Sequence, residues 1–220
     1  MTIRLAEPEA RALEGFCRRQ LRWDAGIAAR IVTTPRAMGV FTAPPLGVLA
    51  FVAVPTLPGE PDSAAADVTV SLAALADALP GAVSAGLDLD GLSPAGVQPV
   101  TSPSVRHLPP TEGWQLPMFA VAGDLGTMVD EATAEFESRS PGLSERARAE
   151  VAEEIWDRKA WAGLPMRALH AARQLGMLAK DRSRVSAATC GPWKRFSTQR
   201  GQVFSYDSGP SARLALHVVR

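Results

Sequence analysis

The sequence predicts an α+β protein: a mainly antiparallel sheet built from both chain ends, covered by about four helices, with a basic helix–hairpin module at the C-terminal end. Three observations carry that expectation. Apolar residues recur three and four apart over about 8–22, 124–138, 141–157 and 164–178, the period of an amphipathic helix. Residues 28–54 are β-branched and apolar between proline clusters, and 213–219 is an apolar run at the other end of the chain. Residues 193–206 join two short aromatic runs through a glycine-bearing link, as a β-hairpin does. With 220 residues, 46% of them hydrophobic and 21% charged, the chain can bury a sizeable core. It reads as one unit over 1–220, divisible into a β-rich part at 1–120 and a helical part at 121–220 that ends in the hairpin and a last strand.

Each element has its own signal. Pro8 opens the first helix, where proline is tolerated, and Leu13, Phe16, Cys17 and Leu21 form its apolar side. Glu7–Arg11 and Glu14–Arg18 are pairs four apart on that helix, and the run Arg18, Arg19, Arg22 reads first as its solvated face, with anion binding as the alternative. Strands follow at 31–34, 37–42 and 46–54. No charge occurs between Arg36 and Glu60, but Pro44, Pro45, Pro55 and Pro58 fit buried strands better than a membrane helix. Residues 57–66 read as an exposed loop that tolerates insertion. Val68, Val70 and Leu72 alternate as a strand, with Ser71 placed to cap a short helix. Residues 81–110 are poor in pattern, with an irregular strand expected near 96–100. Asp124 is expected to cap the helix at 124–138, and Ser140-Pro141 to start the next. Gly163 and Pro165 lead into the helix at 164–178, Cys190-Gly191-Pro192 forms a turn, and Gln199-Arg200-Gly201 supplies a three-residue hairpin link. Residues 213–219 read as a C-terminal strand buried on both faces.

Charge is segregated although the formal net charge is zero. From Arg158 to Arg220 twelve Lys and Arg face two Asp, a net +10, which leaves −10 on residues 1–157. That asymmetry suggests an acidic partner for the basic part, or neutralisation of one part by the other within or between subunits. Homo-oligomerisation is expected on the same ground. Cys17 and Cys190 make no disulfide framework and no metal-ligand spacing, the N-terminus has no apolar leader core, and a cytoplasmic setting is expected with no membrane segment.

No GxSxG, phosphate-loop or GxGxxG spacing occurs, and His107, His170 and His217 lack partners at metal-ligand spacing. No cofactor or metal is expected. The positive signal lies in the hairpin, where Trp193, Phe196, Phe204 and Tyr206 interleave with Lys194, Arg195 and Arg200. Aromatic faces beside cations suit single-stranded nucleic acid, although core residues of a sheet with cations alternating outward would give the same pattern and do so more often; Arg167, Arg173 and Gln174 share the polar side of the preceding helix. The candidate ligand-binding residues are thus Arg167, Arg173, Gln174, Trp193, Lys194, Arg195 and Arg200.

This helix followed by a basic hairpin resembles the recognition helix and wing of winged-helix DNA-binding domains over about forty residues. It departs from them in that only residues 160–164 separate it from the long acidic helix, with no room for a short intervening helix. The expected function is a cytoplasmic binding or regulatory protein whose basic module contacts an acidic protein or nucleic acid. Two alternatives are a small-molecule enzyme with a site near 81–117, where Trp114 and His107 would line a cleft, and a structural homo-oligomer with internally neutralised charge.

Overall fold

A computed structural model describes residues 1–57, 65–92 and 105–207. Ten strands and six α-helices run through them. They are β1 (Thr2–Ile3), α1 (Glu7–Leu21), β2 (Ala28–Thr34), β3 (Ala37–Thr42), β4 (Leu49–Pro55), β5 (Asp67–Ser71), α2 (Leu72–Ala78), β6 (Leu87–Asp88) and α3 (Leu89–Leu92). The second half adds β7 (Gln115–Val121), α4 (Ala122–Arg139), α5 (Glu145–Trp156), α6 (Met166–Gln174), β8 (Arg184–Cys190), β9 (Trp193–Thr198) and β10 (Gly201–Tyr206).

Eight strands form one antiparallel sheet in the order β5-β2-β3-β4-β10-β9-β8-β7. The order reads alike from both ends: a three-strand meander, flanked by an edge strand that runs straight into a helix, twice over. The halves join where β4 pairs β10, with Val203 opposite Ala50. The sheet is therefore built from both ends of the described chain, as expected. The expected strands at 213–219 and near 96–100, and most of the loop at 57–66, lie outside the described residues.

Helices cover one face. α1 buries Ala10, Leu13, Phe16, Cys17 and Gln20, one stripe at helical spacing. α6 buries Met166, Ala168, Leu169, Ala171 and Ala172, small enough for close approach to the sheet. Phe196 of β9 reaches fully buried into this core, its ring edge-on to Trp161. The other face carries a smaller cluster of Ala28, Leu49, Val105 and Phe204, with Phe41, Phe51, Trp114 and Trp193 packed on it. Arg30 pins the segment over that face, bonding both oxygens of Asp67 at 2.7 Å and the carbonyls of Val105 and Arg106.

Several local expectations are corrected. Ser71 does cap α2, its Oγ accepting from the Ala74 amide. The capping serine of α5, however, is Ser144, which accepts from Ala147 at 3.3 Å, while Gly142 at φ +73° turns the chain before it. Asp124 sits in the first turn of α4 without capping it. α6 stops at Gln174 because Gly176, at φ +74°, takes the left-handed position that ends a helix, and the amides of Met177 and Leu178 both return to the Ala172 carbonyl. The hairpin link is two residues, since Thr198 pairs Gly201. That hairpin is no wing, because β8 flanks it on one side and β4 on the other.

The α5–α6 contact carries a pH dependence. The His170 ring stacks on Trp156, centroids 4.2 Å apart, and its Nδ1 is buried without a partner. Burial lowers its pKa, so the folded chain binds the proton less readily than the unfolded chain. Stability is then expected to fall as pH drops below about 6.5, the unfolded imidazole value. Urea midpoints across pH 5–8 test this; His170→Leu should flatten the slope, and an unchanged slope would assign it elsewhere.

Candidate nucleic-acid interface

The fold separates the residues that the sequence groups together. On α6, Arg167 is ion-paired to Asp157, and its guanidinium fills the space beside Gly47. Arg173 shares Asp130 with Lys180, at 3.3 and 2.6 Å. Gln174 is exposed at the end of the helix. Strand alternation divides the rest. Lys194 shares the helix-covered side with Phe196 and donates to the Gly163 carbonyl at 2.6 Å. Trp193 and Arg195 lie on the other side, beside Phe204. The Arg195 guanidinium stands 4.4 Å over the Trp114 ring, and burial lowers its pKa. Arg200 sits in the hairpin link and donates to the Gly176 carbonyl at 3.2 Å.

Arg200 is joined there by two arginines of the first helix. Arg19, in the last turn of α1, donates its Nε–H to the Leu175 carbonyl at 2.9 Å. Arg22 follows as the C-cap residue of α1. The end of α6 leaves unpaired carbonyls and the negative pole of the helix dipole, which suits guanidinium groups. Burial lowers the Arg19 pKa, and the positive charges of Arg22 and Arg200 lower it further. Three guanidinium groups therefore share one patch. Among the described residues none of the three enters an ion pair, although the Arg200 charge is felt at Asp181, whose carboxylate is held down first by Ser183.

Elsewhere several cations of the basic segment are paired with carboxylates. Arg158 bonds Glu135 at 2.8 and 3.0 Å, and Arg139 bridges Glu135 and Glu154. Hydrogen bonds from Arg158 and Arg139 hold the Glu135 carboxyl down at about 2. Part of the segregation seen in the sequence is thus paired off across α4, α5 and α6, whereas the three arginines of the patch enter no ion pair among the described residues. Its α1 members belong to the run Arg18, Arg19, Arg22, which the sequence reads first as a solvated face and second as an anion site. A sequence signal does separate them: Arg11 and Arg18 each follow a glutamate by four residues, whereas Gly15 precedes Arg19 and Arg18 precedes Arg22.

The residues of the alternative enzyme site sit on the far face. The Trp114 indole donates to the Pro110 carbonyl at 2.9 Å and packs on Phe204. His107 lines a cleft with Trp193 and Tyr206. Residues 93–104 of that stretch lie outside the described residues. Among the described residues no three His, Cys, Asp or Glu side chains are placed to hold a metal ion, Cys17 and Cys190 are free thiols, and no helix is long and apolar enough to cross a membrane.

Residues 1–97 match the model of a domain of unknown function, DUF8010, and residues 109–210 match that of a second, DUF8185. These limits coincide with the two halves of the sheet. No curated protein matches the sequence. Among solved structures the chain is similar to pol III beta of Caulobacter crescentus, with TM-score 0.56 and 11% identity over 100% of this chain and 69% of that one. It is also similar to DNA polymerase III subunit beta of Borrelia burgdorferi in complex with a natural product, with TM-score 0.54 and 8% identity over 96% and 67%. A sliding clamp (DNA polymerase III subunit beta) of Pseudomonas aeruginosa bound to griselimycin gives TM-score 0.51 and 10% identity over 100% and 69%. The fold is sliding-clamp-like, and the two stretches that make it match domains of unknown function.

Proposed function

We propose that the chain is a non-enzymatic DNA-associated binding protein that presents Arg19, Arg22 and Arg200 to phosphates. The observation that carries this reading is the patch itself: Arg19 of α1 and Arg200 of the β9–β10 link meet on the end of α6, Arg22 adds its charge beside Arg19, and among the described residues none of the three enters an ion pair. The likeness in fold to DNA polymerase III beta subunits supports it. Arg167, Arg173, Lys194 and Arg195 have internal partners and contribute less, Gln174 borders the patch, and Trp193 faces away from the helices. Fluorescence anisotropy with random double- and single-stranded oligonucleotides at two salt concentrations tests the reading. Binding at low salt that weakens steeply with added salt is expected, through counterion release. Absence of binding to both oligonucleotides at low salt would overturn it.

Self-association belongs to the same reading. Among the described residues β7 is an edge strand whose one partner is β8, and its Met118, Phe119 and Val121 are 49%, 53% and 39% exposed. An apolar edge strand is a template for another chain. A second copy is expected on this edge, and Phe119→Asp should shift the protein toward monomer in sedimentation velocity runs. A strict monomer at every concentration would contradict the expectation.

A further inference from the structure

The sheet face turned away from the helices carries a cleft of about 440 Å³ that the arginine patch does not explain. Trp193, Phe204, Tyr206, Pro44 and Pro45 line it, and Asp24 brings the carboxylate. The rings do not stack flat. Tyr206 stands at 71° to Trp193 with centroids 5.0 Å apart, and Phe204 at 87° with centroids 6.5 Å apart. Trp193 and Tyr206 thus stand upright to each other beside the buried Phe204, and the negative faces of such rings attract cations.

The same sheet face shows what this chain places on such rings. Arg195 lies over Trp114 at 4.4 Å, and Arg184 over Phe119 at 3.7 Å. Among the described residues no cation of the chain lies over Trp193, Phe204 or Tyr206. Arg167, the guanidinium beside Gly47 on the cleft wall, is neutralised by Asp157. Asp24 spends one oxygen on the Gly26 amide at 2.7 Å, a local turn bond, and enters no ion pair among the described residues. A carboxylate sharing a cleft with the rings of Trp193 and the exposed Tyr206 suits a positive charge. The volume falls in the range of a ligand site, and the cleft is open enough to admit a side chain presented by a polypeptide.

We propose that this cleft receives an arginine side chain of a partner polypeptide, the guanidinium lying against Trp193 and Tyr206 and facing Asp24. A planar guanidinium stacks on aromatic rings and keeps its N–H donors for the carboxylate at its edge, which a compact ammonium does less well. The proposal uses none of the residues assigned to DNA and stands or falls separately.

A fluorescein-labelled Gly-Ser-Arg-Ser-Gly peptide and its citrulline twin, equal in shape but uncharged, are titrated with the full chain and followed by anisotropy. The arginine peptide is expected to bind about tenfold more tightly than the twin, a difference of the size that a cation–π contact and an ion contact supply together. Asp24→Asn and Tyr206→Leu, both at exposed positions, should each weaken it several-fold with unchanged melting temperature. Competition by N-acetylarginine amide at millimolar concentration, with none by arginine-free peptide, assigns the affinity to the side chain. Equal binding of the twins, binding untouched by both variants, or no binding of the arginine peptide at millimolar protein would each overturn the proposal.

Discussion

Replacing Arg19, Arg22 and Arg200 together by alanine is expected to weaken duplex DNA binding by at least about tenfold at low salt and to flatten its salt dependence. Each lost phosphate contact removes roughly 0.9 from the slope of log affinity against log salt, so the slope should fall by nearly three if all three arginines reach phosphates. The loss should not depend on DNA sequence, because phosphate contacts carry none. Arg19 and Arg200 also bond the carbonyls of Leu175 and Gly176, so their removal disturbs the end of α6 as well. A triple lysine variant separates the two effects: it restores the charge without the guanidinium fork. Lysine should recover most of the salt slope, whereas a merely structural role would leave both variants equally impaired. Lys194→Ala and Arg195→Ala, whose charges are engaged on opposite sides of β9, should leave the slope nearly intact.

Phe196→Ala is expected to cost about 3–5 kcal/mol of folding stability, a large part of what a domain of this size possesses. Phe196 has no exposed surface, lies near the middle of β9 between β8 and β10, and meets the edge of Trp161. Its removal opens a cavity where helix layer and sheet interlock, and the paired strands cannot collapse into it. Phe196→Leu, which keeps most of the volume, should lose under about 1.5 kcal/mol. Urea denaturation of the three proteins measures the series. A cost below about 1 kcal/mol for the alanine variant would mean that the residue is not at the core position assigned to it.

Much of the fold was legible because periodicity reports burial directly. The stripe Leu13, Phe16, Cys17 placed α1, and the uncharged run after Arg36 gave two central strands. Boundaries were less legible. Ser140-Pro141 is expected to start α5, but the turn at Gly142 moves the start to Ser144. The α6 periodicity continues through Leu178, since Met177 and Leu178 are buried after the helix has ended at Gly176. The two-fold plan of the sheet was hidden, because it lies in strand order and not in any repeated residue pattern.

The candidate site divides along the same line. Arg200 was visible as a cation in a hairpin link, but its neighbours Arg19 and Arg22 lie far away in sequence. The contacts that bring Arg19 and Arg200 together run through the carbonyls of Leu175 and Gly176 at the end of α6, which leave no trace in residue identity. Conversely, Trp193, Lys194 and Arg195 are adjacent in sequence, and adjacency on a strand sends side chains to opposite faces. Charge segregation left two readings open, an acidic partner or neutralisation of one part by the other, because a count along the chain does not see Arg158 closing on Glu135 and Glu154.

Hydrogen exchange with and without a saturating random duplex tests most directly where the nucleic acid lies. Slowed exchange is expected at residues 18–24, 174–178 and 198–201, the segments that carry or support the three arginines, with little change at 114–121. Protection confined to 114–121 and 193–197, with residues 18–24 and 174–178 unaffected, would place the nucleic acid on the opposite face of the sheet and contradict the account.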